Sequence, residues 1–245
     1  DSSGEFDIIS LQYFYNSLIQ KGVKMNFLEL INKCLLELNY KQVSSFAELV
    51  KQDHKRIISI LNSYGIKATF FVKNTSYNDY MKDIVNNGNV IALHSYTHDY
   101  KMIYSSDEAF YQDLQNISDL VYLQTGVRSN IMRFPGGGSN TVSKKYSPGI
   151  MTRLTQGVAE RGYIYYDWNC SSGDAMKNTV PKESIVANCK KVPSASNVIV
   201  LLHDTGAKNT TVDALPEVIE YYLSCGYTFS TITADTPPVH HKVNN

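Results

Sequence analysis

At 245 residues the chain is long enough for one large domain or two small ones. Its 23 basic and 23 acidic side chains cancel, so no long-range field favours nucleic acid or an anionic membrane surface. Its apolar share of 43% is ordinary for a globular protein, and no run of about 18 apolar residues offers a membrane span.

Residues 1–38 read as a helical extension. Ile8, Leu11, Phe14, Leu18 and Ile19 keep a helical period up to Gly22, and a second helix from Asn26 sets Phe27, Leu30, Ile31, Cys34 and Leu35 on one face. No chemistry is evident there, and packing is the plain reading. From Tyr40 the texture changes to short apolar runs alternating with amphipathic stretches. Helices are expected over 54–63, 80–86, 107–125, 148–161, 182–190 and 212–224. Strands are expected over 67–72, 89–93, 130–134, 163–166, 197–202 and 228–232. This alternation predicts an α/β domain over 39–236: a parallel sheet covered by helices, with enough units to close into a barrel. A polar tail over 237–245 follows Pro237 and Pro238.

Residues of catalytic type gather at the expected strand ends. His94 follows V-I-A-L, and His98 comes four residues later. That spacing can aim two neutral imidazoles at one metal ion. Taken alone, it is as well explained by two histidines with no metal. Arg133 sits in I-M-R-F-P-G-G-G, Asp167 and Trp168 follow Y-I-Y-Y, and Asp174 comes soon after. His203 and Asp204 follow V-I-V-L-L. In a parallel barrel the C-terminal strand ends converge on one face, where sites are built. The cysteines, Cys34, Cys170, Cys189 and Cys225, form no C-x-x-C pair and do not read as a zinc site. Cys170 with Cys189 is the first pair to test for a disulfide, and four buried thiols are an equal alternative.

In chain order, I-L-N-S-Y-G-I-K-A-T-F-F-V, H-S-Y-T-H, R-F-P-G-G, W-N-C-S-S-G-D and L-L-H resemble the motifs of the polysaccharide deacetylases, the NodB-homology domains of carbohydrate esterase family 4. The resemblance runs from about Tyr40 to Asp235. It implies a distorted (β/α) barrel, a divalent metal (zinc, with cobalt, manganese or nickel as alternatives) and removal of N-acetyl or O-acetyl groups from a glycan such as peptidoglycan or a chitooligosaccharide. It implies His94 and His98 as metal ligands and Arg133 as the arginine that orients the catalytic base. The backbone N–H of Gly136, where the family usually has tyrosine, becomes an oxyanion donor. His203 becomes the general acid, and Asp174 the carboxylate that holds it, with Asp167 as the alternative. Asp204 reads as a loop residue. Leu201 would receive the acetate methyl, and Trp168 would line the groove. Ala175 stands where a tryptophan is usual, which implies a groove more open on that side.

The family's first motif, T-F-D-D-G, departs here. Counting back from K-A-T-F-F places it on Ser45, Phe46, Ala47, Glu48 and Leu49. The base falls on Ala47 and the third metal ligand on Glu48, with Asp53 or Asp7 as other sources of a carboxylate. A catalytically impaired glycan-binding relative is therefore the second reading. A third is a scaffold of a larger surface protein, with residues 1–38 as its docking element. The expected setting is extracellular or at the cell surface, as a monomer.

Overall fold

The computed structural model describes residues 46–192, 195–205 and 208–245. The expected N-terminal extension and Asp7 lie outside these residues. The described residues fall into two compact units. One holds residues 46–60, 171–191 and 202–227, and the other holds 61–170, 192–201 and 228–245.

The second unit is built on a parallel sheet of four strands in chain order: β1 (Thr69–Lys73), β2 (Val90–Ser95), β3 (Ile131–Met132) and β4 (Ile164–Tyr165). Helices α2 (Tyr80–Asn86), α3 (Tyr100–Ile103), α4 (Asp107–Thr125) and α5 (Ile150–Glu160) connect or flank them. Both faces of the sheet are buried. Ile91, Leu93, Met132 and Tyr165 join the core under the helices, with Phe110, Leu114, Ile117 and Val121 of α4. Ala92, Ile131 and Tyr166 join a second cluster with Ile199 and Ile232. Two-sided burial is why these strands read as continuous apolar runs rather than as alternating ones.

The long helix α4 keeps the bounds its sequence predicts, because both ends are capped. Ser106 Oγ accepts the N–H of Ala109 at 3.1 Å, and Gly126 closes the helix in the left-handed region with φ 72°. Other elements differ from expectation. The strands expected over 130–134, 163–166 and 197–202 shorten to two residues each, the last becoming β6 (Val200–Leu201), which pairs with β5 (Cys170–Ser171). No strand forms over 228–232, where the Ile232 N–H donates to the Thr69 hydroxyl at 2.8 Å instead of to a neighbouring carbonyl.

The tail from Pro237 is docked, not loose. The Asp167 N–H donates to Val239 O, and the His240 ring stacks on Tyr165 with centroids 3.9 Å apart. Asn245 accepts the Gly149 N–H on its side chain and the Thr152 N–H on its carbonyl, both at 2.7 Å.

α1 (Phe46–Ser63), which belongs to the first unit up to Ile60, begins well ahead of its expected start, and in the first unit α6 (Lys182–Cys189) packs on α7 (Asn209–Ser224). Buried Lys208 precedes α7. Its ammonium donates to the carbonyls of Asp174, Lys177 and Asn178, which satisfies a charge that would otherwise be costly inside the protein. Cys170 and Cys189 are both buried and are not bridged to each other; Cys225 is exposed. No helix among the described residues is long and apolar enough to cross a membrane.

Candidate active site

His94 owes its direction to an irregularity in β2. Val72 pairs with Leu93 but Lys73 pairs with Ser95, so His94 is the residue passed over at the strand's end. Such a bulge re-aims a side chain that the pleat would otherwise place. His94 Nδ1–H donates to Arg133 O at 2.8 Å, which leaves the lone pair of the neutral ring on Nε2. His98 has φ 55°, the one non-glycine residue with positive φ among the described residues. That conformation is uncommon for a side chain with a Cβ and is held by its surroundings. The His98 N–H donates to Ser95 Oγ at 2.8 Å, and the two imidazole centroids stand 5.1 Å apart.

The loop between them is gripped from α4. Buried Asp113 accepts from Ser95 Oγ at 2.6 Å and, at 2.8 Å each, from Tyr96 N, Thr97 N and Thr97 Oγ1. Asp113 lies on the same helix face as Phe110, Leu114 and Ile117. A carboxylate on an apolar stripe is the signal that could have marked it in the sequence.

Arg133 leaves β3 into the glycine loop. Its N–H donates to Leu93 O at 2.9 Å, and its guanidinium lies 4.0 Å over the Phe71 ring. Nε donates to Tyr166 O and Nη2 to Asp167 O. Burial lowers its pKa to about 10, partly opposed by the charge of Asp167, so it stays a cation at neutral pH. Among the described residues no carboxylate forms an ion pair with it.

Asp167 is fully buried and takes the Gly138 N–H on one oxygen and the His241 N–H on the other, each at 2.8 Å. His241 Nε2–H donates to Trp168 O at 2.6 Å, its Nδ1 accepts from the Ser139 hydroxyl, and its ring meets Trp168 edge-on at 4.6 Å. The docked tail thus braces the glycine loop and Trp168, a role its polar composition did not signal. Gly136 is exposed, with φ 79°, a conformation that suits glycine.

In the first unit, Asp174 and His203 form a tight pair. His203 Nδ1–H donates to Asp174 Oδ1 and the His203 N–H to Oδ2, both at 2.7 Å, and the Thr211 hydroxyl reaches Oδ2 at 3.0 Å. Burial alone would raise the Asp174 pKa. The hydrogen bonds and charge of His203, with a further bond from Ser172, outweigh it and hold the carboxyl below its ordinary value. His203 therefore goes to Asp174, and the alternative, Asp167, is engaged elsewhere. Asp204 accepts from His54 Nδ1.

A family profile for polysaccharide deacetylase matches residues 42–148. The catalytic domain of a peptidoglycan N-acetylglucosamine deacetylase from Eubacterium rectale is 42% identical, covers 78% of this chain and 87% of its own, and superposes with a TM-score of 0.75. The chain belongs to the polysaccharide deacetylase family. A Bacillus cereus peptidoglycan-N-acetylglucosamine deacetylase is 24% identical over 77% of this chain. The chain spans 66% of that relative's length and 64% of that of a Bacillus subtilis relative. A carbohydrate esterase family 4 pseudoenzyme from Bacillus anthracis, 22% identical, shares the fold with a TM-score of 0.59 over 78% of this chain and 61% of its own. The parallel α/β fold expected from the sequence is thus that of the deacetylase (β/α) barrels.

The second unit brings together His94, His98, Arg133, Gly136 and Trp168 around consecutive strand ends. Leu201 lies half-buried in β6. Asp174 and His203 meet in the first unit. Glu48, expected as third metal ligand, lies with Ala47 in the first turn of α1, and its side chain is outside the described residues. Asp53 is buried and reaches Arg56 at 3.3 Å. Among the described residues no group of three His, Cys, Asp or Glu converges on a metal position. The donor set of His94 and His98 fits a divalent ion as two of its ligands and leaves the rest of the coordination shell to other donors.

Proposed function

We propose that this polysaccharide deacetylase is a metal-dependent hydrolase that removes N-acetyl groups from N-acetylglucosamine units of a cell-wall glycan, outside the cell or at its surface, as a monomer. The observation that carries the reading is the His94 tautomer. The hydrogen bond to Arg133 O leaves Nε2 as the acceptor of the neutral His94 ring, at the end of a core strand and 5.1 Å from His98 between ring centroids, which supports a metal-donor role for both. Zinc is the first choice for two imidazole donors. The ion would polarise the acetyl carbonyl and lower the pKa of a bound water. His203, whose Nδ1–H donates to Asp174, would supply a proton from Nε2 to the leaving amine. The Gly136 N–H serves the developing oxyanion. The glycan reading is also supported by what the Eubacterium and Bacillus cereus relatives are named for.

Arg133 favours a second reading. Its guanidinium meets two carbonyls and no carboxylate among the described residues, and position 47 is alanine where the resemblance puts the base. An impaired, glycan-binding relative would look this way. Acetate release from chitooligosaccharides and peptidoglycan fragments, with metal content measured on the same samples, decides between the two. Zinc-dependent release that His94→Ala abolishes is the expected result. Glycan binding with no release in zinc, cobalt, manganese or nickel would establish the second reading.

A further inference from the structure

Beside the glycine loop lies an open depression of about 400 Å³, bounded by Tyr100, Gly136, Ser139, Asn140, Thr141 and Val142. Its residues sort by what they can still offer. The Asn140 carboxamide is committed inward: it donates to Pro135 O and accepts from Val142 N. Ser139 is committed to His241. Tyr100 differs. It is half-buried, its ring lies against His98 edge-on at 5.8 Å and against Tyr104 at 5.6 Å, and its hydroxyl has no hydrogen-bond partner among the described residues. A Cβ on Gly136 would stand 2.7 Å from the Tyr100 oxygen, so the missing side chain at Gly136 is what admits the phenol to this corner. Across the depression, Val142 is an exposed apolar face, 43% accessible, next to the exposed Thr141.

An aromatic hydroxyl, an apolar patch and a second hydroxyl around a shallow hollow match a sugar ring, which carries C–H faces and equatorial hydroxyls. The volume lies within the range of small-ligand sites. We propose that this depression seats one ring of an N-acetylhexosamine chain, with the Tyr100 hydroxyl hydrogen-bonded to that ring and Val142 against its apolar face. The seat is reached by the same loop that carries Gly136, and the proposal rests on the deacetylase reading only for the choice of glycan.

The test is calorimetric titration of the whole chain with chitotetraose. Tyr100→Phe keeps the ring contacts with His98 and Tyr104 and removes only the hydroxyl. Loss of one neutral hydrogen bond should weaken binding about three- to tenfold. Val142→Asp, on the exposed rim, should weaken it further, and Leu123→Ser, exposed on α4 away from the depression, should not change it. Where acetate release is measurable, Tyr100→Phe should raise KM and leave kcat within about twofold. Wild-type binding that neither Tyr100→Phe nor Val142→Asp alters overturns the seat and leaves the deacetylase reading standing. Acetate release without that loss of affinity does the same. A wild-type chain that binds no chitotetraose at millimolar concentration and releases no acetate overturns both.

Discussion

Two carboxylates of one unit respond to pH in opposite directions, and the sign follows from what surrounds each. Asp53 is buried. Desolvation raises its pKa from 3.8 to about 6, with the charge and hydrogen bond of Arg56 opposing the rise. A folded-state pKa above the unfolded one means that stability is fully present below about 3.8 and is lost as pH rises through about 6. Asp53→Asn keeps an acceptor for Arg56 and removes the ionisation. Urea titrations between pH 4 and 8 should show the wild type losing stability through that window, by roughly 1–3 kcal/mol, and the variant losing none of it. Asp174 is the reverse case. Its carboxyl is held below the ordinary value, so its contribution is present above the unfolded value and lost as pH falls through the lowered one. Asp174→Asn should abolish that acid-side loss and, by releasing His203, lower acetate release about 10²–10⁴-fold at neutral pH. Asp113 gives a third test. Asp113→Asn substitutes an amide that cannot accept from Ser95, Tyr96 and Thr97 at both ends. Zinc affinity, read by competition with a chelator, should fall about 10- to 100-fold because the loop under His94 and His98 loosens.

At the scale of elements, the reading from the sequence was good where local signals close an element and poor where the partner is remote. α2 and α4 keep their predicted bounds, α4 because serine and glycine caps are written beside its apolar stripe. The strands expected at β3, β4 and β6 stand at the right positions and are too long, and β5 is not expected at all, because a strand's end is set by which carbonyl its next N–H finds. The Arg133 N–H finds Leu93 O, but the Ile232 N–H finds a threonine hydroxyl, and the expected strand there does not form. The docking of the tail is illegible for the same reason. Proline, histidine, lysine and asparagine are loop formers by composition, and nothing local says that His241 will bond Asp167 or that Asn245 will cap the chain near Gly149. Truncation after Val239 should therefore be costly. It removes the His240–Tyr165 stack, the His241 bonds to Asp167, Trp168 and Ser139, and the Asn245 bonds. At about 0.5–1.5 kcal/mol for each bond, the loss is on the order of 3–5 kcal/mol. A calorimetric melt should show Tm lower by about 10 °C. A shift under about 2 °C would mean that the tail is a passive appendage.

For the whole chain, family membership and catalytic competence separate cleanly. Membership was legible because it rests on short motifs at strand ends, and the structure gives each a physical role: a bulge for His94, a strained φ for His98, a glycine loop after Arg133, a carboxylate for His203. Competence was not legible, because it turns on one motif whose letters have changed. Position 47 is alanine, which accepts no proton, and residues 46–49 are the first turn of α1. Arg133 is a buried cation whose acceptors among the described residues are two carbonyls. A base lost at this step costs about 10²–10⁴-fold, and a metal ion held by two imidazoles is held less tightly than one held by three protein ligands. Ala47→Asp combined with Glu48→Asp restores both carboxylates that the resemblance assigns. Acetate release should rise by a factor in that range, and zinc should bind more tightly in the same preparation. If the double variant gains in neither, positions 47 and 48 are not where the chemistry is missing. A carboxylate from another part of the chain must then serve, which single alanine replacements at Asp7 and Asp53 in the wild type would expose as a loss of zinc affinity.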